Sequence, residues 1–509
     1  MSGAADPAPG APATDLQALL RAGEALTRRG QQAEALRHYR DLRAAWPGNG
    51  QVAARLVLAL AATGEGQAAL ALYRAEVAQA AIPEDERSLV LRRLATANRR
   101  DPALARLLEE RLATRPADAA LLREAAAAAA AAGRDEAAMA YFARAAALAP
   151  LPYWALAQWL QSAVRRRRAG GALPVMDTPL IALLEEALRR FPAQALFLRD
   201  FNSLPLPAAA WQRLYRLIRD NLPARPEGFL GFEAAKSLLQ AGEIAEGRRL
   251  LGSLDPASVW AARAAPLLAA LAAEPEGGWA GRLADDKSAE IQVQRVPGAR
   301  MTVIVFATIA GDFMMMPLAC LDALLATLPA NIVYLRDTVW ASGLAGLRSL
   351  GPSIEATTRH LAGLVASLGA KEVVTVGGSV SSLSAIRYGA RIGAARVVTF
   401  GAMTTVDPDF AGTPARLQRS TRRAQAAAPA SAERFGDIAA ELAAAPGLRV
   451  AMHLGADCAL DQAQAAHVAG IPAIALHAEA GVAHHYVALS IIAQRRFASI
   501  VGGAGSAPA

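Results

Sequence analysis

Ser379 lies in the stretch Thr375-Val376-Gly377-Gly378-Ser379-Val380-Ser381-Ser382. Gly377 and Ser381 flank it at the spacing G-x-S-x-G, with serine in place of the last glycine. That spacing suits a serine on a sharp turn between a strand and a helix, where larger flanking side chains would strike neighbouring backbone. A serine hydroxyl becomes a nucleophile only when a base takes its proton and an acid orients the base. Both residue types follow in the chain. Gly455-Ala456-Asp457-Cys458-Ala459-Leu460-Asp461 supplies two carboxylates, and Gly481-Val482-Ala483-His484-His485 supplies two adjacent imidazoles. His484, behind a loop of small residues, is the expected base, with His485 the alternative. Asp457 is the expected acid. Asp461 is a second candidate that also suits the N-cap of a following helix, and Asp407 is a third. The Val380 N–H opens the next helix and faces the place of an oxyanion. A second donor is expected from the loop Ala307–Asp312, with Thr308 chosen. Met314-Met315-Met316 either fills irregular core or lines an apolar acyl pocket. Each of these also has a purely structural reading: serine favours helix N-termini, and a histidine pair can open a helix.

Such residues need a rigid frame. From residue 290 onward, strand and helix patterns alternate. EIQVQRV alternates apolar and polar residues, PGAR turns, and MTVIVFA is apolar throughout, which predicts a hairpin of an edge strand and a buried one. NIVYLR, EVVTVGG, RVVTFGA, LRVAMHL and IPAIALH read as further strands, with helices over 353–368, 380–393, 461–469 and 486–498. This alternation predicts a mainly parallel sheet covered by helices. An Arg- and Ala-rich insertion occupies 407–447 and a short tail 503–509.

The order Ser…Asp…His, each at a strand's C-terminal end, makes residues 290–502 resemble the α/β-hydrolase fold. More narrowly, they resemble a little-characterised branch found in bacterial proteins beside tetratricopeptide or polysaccharide-synthesis modules. The matching features are Phe306, Leu335-Arg336-Asp337, the Gly377–Ser382 turn, and Tyr388-Gly389 with Gly393-Ala394. The resemblance implies a serine hydrolase or acyl transferase acting on an ester-type small molecule.

The first half reads differently. After an Ala/Pro/Gly-rich tail over 1–14, Gly23, Ala35, Tyr39 and Pro47 begin a pattern that recurs as Ala69 and Tyr73, as Leu104, Leu108 and Pro116, and as Ala138, Phe142 and Pro150. The spacing of about 34 residues over 15–150 resembles the tetratricopeptide repeat, a stacked helix–turn–helix unit. That resemblance implies a protein or peptide partner in the repeat groove. Residues 151–270 read as an irregular helical extension of the solenoid, with Trp154 and Trp159 in its core, and 271–289 as a linker. The fold class expected is therefore an all-α repeat solenoid followed by an α/β domain. A second functional reading follows from the same division: a protein-interaction scaffold whose hydrolase domain is degenerate, favoured by the serines at 381 and 382.

Composition sets the outer bounds. Apolar residues form 54% of the 509 and charged residues 19%, which excludes a mostly disordered chain. Two cysteines exclude a disulfide scaffold or a Cys₄ zinc module, no close ligand set predicts a metal, and no cofactor motif is present. The net charge of +8 comes almost wholly from scattered arginines, with one cluster at Arg165–Arg168 read as a solvated helix end, so no nucleic-acid partner is expected. No unbroken apolar run predicts a membrane span, and the first residues lack the pattern of a secretory signal, so a cytoplasmic location is expected.

Overall fold

A computed structural model of the chain describes residues 15–98, 101–168, 185–191, 208–221, 228–279, 281–337, 343, 346–351, 353–405, 407, 410, 418, 438–443 and 445–503. The expected tail over 1–14, residues 504–509, and most of the insertion 407–447 lie outside them. The chain divides into two compact units, residues 1–165 and 166–509.

The described part of the first unit is helical throughout. Its elements are α1 (Leu16–Arg28), α2 (Gln32–Ala45), α3 (Gly50–Ala62), α4 (Gly66–Leu72, running into a π-helical turn at Tyr73–Val77), α5 (Glu84–Ala97), α6 (Pro102–Thr114), α7 (Ala119–Ala131), α8 (Asp135–Leu148) and the start of α9 (Tyr153–Arg168). Asp15, Asn49, Asp101 and Asp118 cap α1, α3, α6 and α7 through side-chain oxygens that accept from free first-turn N–H groups. Consecutive helices pack on one another. Their contacts are made by the recurring positions, for Ala35, Tyr39, Ala69, Tyr73, Leu104, Leu108, Ala138 and Phe142 are all buried. Gly23 shows why a small residue is needed: a Cβ there would lie 2.5 Å from the Tyr39 ring. Trp159 is buried and stacks on Phe142. Arg165, expected as part of a solvated helix end, is bound to Asp135, with Nη2 2.6 Å from Oδ1.

The second unit holds one seven-stranded sheet. The strands are β1 (Ile291–Gln294), β2 (Met301–Phe306), β3 (Ala330–Leu335), β4 (Glu372–Gly378), β5 (Arg396–Phe400), β6 (Val450–Gly455) and β7 (Ile474–Glu479), in the order β1-β3-β2-β4-β5-β6-β7. All neighbours are parallel except β1, which runs antiparallel to β3 with Ile291 opposite Leu335. The expected β1–β2 hairpin is therefore not formed. β2 is apolar and buried, and β3 and β4 occupy both its hydrogen-bonding edges. The polar-alternating β1 goes to the margin, where one edge can stay unpaired.

Helices packed with the sheet complete the unit. They include α10 (Ala208–Asn221), α11 (Gly228–Gln240), α12 (Ile244–Gly252), α13 (Val259–Ala272), α14 (Leu318–Leu325), α15 (Ile354–Leu368), α16 (Ser381–Ile392), α17 (Ile438–Ala443), α18 (Ala459–Val468), α19 (Val487–Ala493) and α20 (Phe497–Gly502). α13 packs on α19, so these upstream helices belong with the sheet unit and not with the first unit. The stretch 271–289, expected as a linker, is tied down. Trp279 and Leu283 are buried, and the Trp279 Nε1–H donates to the Leu271 carbonyl at 3.2 Å. Asp322 on α14 is completely buried and accepts from the N–H groups of Arg282 (2.7 Å) and Leu283 (3.1 Å) and from the Tyr334 hydroxyl (2.8 Å). Removing that acceptor leaves three donors without a partner. Asp322→Ala is therefore expected to destabilise the sheet unit by about 3 kcal/mol or more, read as a lowered urea midpoint.

Candidate active site

From β2 the chain builds outward in both directions, to β3 and β1 on one side and to β4 through β7 on the other. The crevice at the C-terminal ends of β2 and β4 is thus a topological switch point, where α/β sheets place ligands. Ser379 stands there, between β4 and α16. Its φ is +55°, a left-handed value that costs a non-glycine residue about 1 kcal/mol or more. The strain is held from both sides. The Ser379 N–H donates to the Phe400 carbonyl at 3.0 Å, and its carbonyl accepts from the Met403 N–H at 3.1 Å.

The neighbours explain the sequence pattern. A Cβ on Gly377 would lie 2.7 Å from both the Ser382 Cα and the Ser381 carbonyl oxygen. Ser381, standing where the motif has glycine, has a place for its extra atoms. Its buried hydroxyl donates toward the carbonyls of Phe306 (2.9 Å) and Gly378 (2.8 Å) and accepts from the Gly378 N–H (3.1 Å).

His485, between β7 and α19, places Nε2 2.8 Å from the Ser379 Oγ and Nδ1 2.6 Å from the Asp461 Oδ1. A carboxylate can only accept, so Nδ1 carries the proton and Nε2 is left to accept from the serine hydroxyl. Asp461 lies in the first turn of α18 with its side chain completely buried, and its Oδ2 accepts from the Gly455 N–H at 2.9 Å. Both carboxylate oxygens are thereby fixed. Gly401 lets the chain after β5 reach this point. Its φ is +51°, and a Cβ there would lie 2.5 Å from the His485 carbonyl oxygen.

The first-choice acid and base stand elsewhere. The His484 Nε2 lies 3.4 Å from the Ser490 hydroxyl, and its buried Nδ1 has no hydrogen-bond partner among the described residues. Burial holds the His484 imidazole below its ordinary pKa. Asp457 is exposed, and its N–H donates to the Val482 carbonyl at 3.1 Å. Asp407 is also exposed. Of the candidates weighed from the sequence, the geometry joins Ser379, His485 and Asp461, and leaves His484, Asp457 and Asp407 outside that chain of bonds.

Val380 is the N-cap residue of α16; the next N–H groups in the turn, those of Ser382 and Leu383, donate to the Ser379 and Val380 carbonyls at 3.1 and 3.2 Å. Thr308 differs from expectation. Its N–H donates to the Asp312 carbonyl at 2.7 Å and its hydroxyl to the Asp312 Oδ1 at 2.6 Å, so both donors are engaged inside the loop. The same carboxylate accepts from the Met315 N–H at 3.2 Å. Asp312 is the organiser of this loop that sequence reasoning missed. The available signal was a lone acid directly after Gly311 in an otherwise apolar run.

Phe313 and Met316 exchange backbone hydrogen bonds across Met314 and Met315, whose φ values are +52° and +76°. A two-residue turn with both central residues left-handed normally carries Asn or Gly. Here all three methionines are buried, and the Met314 Cγ lies where a Cβ on Gly378 would be only 2.7 Å away. The turn is thus pressed against the residue before Ser379. Arg336 fastens the loop from behind. Its Nε donates to the Gly311 carbonyl at 3.1 Å, its Nη1 to the Gln292 Oε1 at 2.7 Å, and it is paired with Asp285.

A second imidazole–carboxylate group lies on β6 and β7. The His453 Nδ1 is 3.1 Å from the Glu479 Oε1, the Arg496 Nη1 is 2.7 Å from the Glu479 Oε2, and His453 stacks between Phe400 and His477. Burial, only partly offset by Glu479, pushes the His453 pKa down from 6.5 to about 4. For Glu479, burial acts upward, but the bonds to Arg496 and His453 outweigh it and hold the carboxyl below its ordinary value of 4.5. Between pH 6.5 and about 4 the unfolded chain takes a proton that folded His453 refuses. Stability is therefore expected to fall as pH drops through that window and, for Glu479, to fall further below pH 4.5. His453→Gln should flatten the upper part of the curve, as read from melting temperature against pH.

Among the described residues, no group of three His, Cys, Asp or Glu side chains is placed to hold a metal ion. No helix among them is long and apolar enough to cross a membrane. No protein-family model matches the chain, and no curated protein matches it.

Proposed function

We propose that the second unit is a serine hydrolase or acyl transferase of the α/β-hydrolase kind, acting on an ester-type substrate, with Ser379 as nucleophile, His485 as base and Asp461 as orienting acid. One observation carries the reading: the unbroken Ser379–His485–Asp461 hydrogen-bond chain, with the serine on a left-handed strand-to-helix turn. The three residues follow strands β4, β7 and β6, and their chain order Ser…Asp…His is the one used by that fold.

The chemistry follows from the geometry. The Ser379 Oγ attacks the carbonyl carbon as its proton passes to the His485 Nε2. Asp461 holds the ring and stabilises the imidazolium without taking the proton. The negative charge that forms on the former carbonyl oxygen is received by the Val380 N–H at the start of α16. His485 then protonates the departing alkoxide, leaving an acyl-serine. Water or a second alcohol, deprotonated by His485, attacks that acyl group and restores the serine. Water gives a hydrolase, and an acceptor alcohol gives a transferase. The bonds made by the Ser381 hydroxyl support an intact turn, which weakens the case for a degenerate, purely scaffolding domain.

The test is covalent labelling of the whole protein by a fluorophosphonate. The wild type should be labelled in a single position, Ser379. Ser379→Ala should remain unlabelled with a nearly unchanged melting temperature. A wild type that stays unlabelled, or labelling that survives Ser379→Ala, would sink the reading.

A further inference from the structure

We propose that the first unit holds a binding cleft for an acidic peptide segment, built by Arg92, Arg93 and Arg123 together with Trp154. The cleft has a volume of about 260 Å³ and is lined by α5, α7 and the start of α9. Leu89, Arg92, Arg93 and Thr96 are spaced i, i+3, i+4 and i+7, so one face of α5 is turned to it. Arg123 comes from α7, and Trp154 is half-buried on α9.

The charge balance identifies the ligand. The other half-buried arginines of this unit are matched to acids: Arg43 to Glu76, Arg55 to Glu24 and Glu86, Arg87 and Arg111 to Glu84, Arg115 to Asp85, and Arg165 to Asp135, whereas arginines without an acid, such as Arg37 and Arg106, stand exposed. In contrast, no ion pair or side-chain hydrogen bond engages the guanidiniums of Arg92, Arg93 and Arg123 among the described residues. The Arg92 Nε is buried without a hydrogen-bond partner among the described residues. A buried donor left unmatched is unfavourable, and an anionic acceptor would remove that penalty. Guanidinium forks suit carboxylates, each taking two parallel hydrogen bonds.

Two further features favour a peptide over a denser polyanion. Neighbouring helix axes lie roughly 8–10 Å apart, so guanidiniums on α5 and α7 match acids about three residues apart on an extended chain. Leu89, 37% exposed for a large apolar residue, and the Trp154 ring offer apolar contact beside the charges. The small volume admits a few side chains of a tail or loop.

The test uses the full chain and a fluorescein-labelled peptide of about a dozen residues, repeating Glu-Leu-Ser so that the acids stand three residues apart, followed by fluorescence anisotropy. Binding should weaken as salt rises. Arg92→Glu with Arg123→Glu should weaken it at least about tenfold, while Arg37→Glu, on the exposed side of α2, should not. Should the reversed-charge variant lose helical circular dichroism, Arg92→Gln with Arg123→Gln takes its place and should show the same loss. Absent binding, equal binding of the matching Lys-Leu-Ser peptide, or insensitivity to the cleft variants would overturn the proposal. Displacement of the peptide by stoichiometric inorganic tripolyphosphate would also overturn it, assigning the cleft to small anions.

Discussion

His485→Ala is expected to slow acylation of Ser379 by roughly 10⁴-fold or more, whereas His484→Ala should leave the rate within about threefold. The contrast rests on geometry. Only the His485 ring reaches the Ser379 Oγ, at 2.8 Å, while His484 is directed toward Ser490. The acids should divide in the same way. Asp461→Asn keeps the shape but allows the wrong tautomer of His485, and a loss on the order of 10³–10⁴ is expected. Asp457→Asn alters an exposed side chain and should change little. The measurement is the second-order rate of fluorophosphonate labelling at fixed pH for all four variants, each checked by thermal melting. Equal losses for His484→Ala and His485→Ala would place the base elsewhere or nowhere. Full labelling in His485→Ala would mean that Ser379 reacts without the base assigned to it.

The second large effect is expected at Gly377. An added Cβ would meet backbone of Ser381 and Ser382 at 2.7 Å, at the point where the chain turns from β4 into α16. Backbone cannot rotate aside as a side-chain end can. Gly377→Ala should therefore destabilise the unit by about 1–3 kcal/mol and also displace Ser379, so that labelling falls by more than the folded fraction explains. Ser381→Gly makes a useful contrast. It removes the hydroxyl that bonds to Phe306 and Gly378 and should lower stability by about 1–3 kcal/mol, yet it adds no atom against the turn. Labelling per folded molecule should stay close to wild type. If Gly377→Ala is labelled at the wild-type rate per folded molecule, the close packing is not what positions the nucleophile.

Much of the architecture can be read from local pattern. The alternation of apolar runs with helical periods after residue 290 specifies strands and helices because each element must bury one face, and that need is written in residues near one another. The same holds for the buried positions recurring in the first half and for Ser379, whose small neighbours are required within a few residues on either side. The chain order of serine, acid and histidine is equally a property of the sequence.

The choices that pattern left open depend on contacts between distant segments. His484 and His485 are adjacent and chemically identical. Which of them faces Ser379 follows from the close approach of Gly401, from the chain after β5, to the His485 carbonyl. Asp457 and Asp461 share one loop and the start of one helix, but only Asp461 is buried against the Gly455 N–H with an oxygen left for the ring. Thr308 carries suitable donors in the expected loop, and Asp312 four residues on engages both. β1 has the pattern of a strand but not the identity of its partner, which was settled when β4 took the second edge of β2. Residues 271–289 have the composition of a linker, yet the buried carboxylate of Asp322 collects their N–H groups from some 40 positions away. Local residues specify which elements can form and which side chains are chemically able. The pairing of those side chains is decided by packing, because each buried donor and acceptor must find its match among groups that only the folded chain brings within reach.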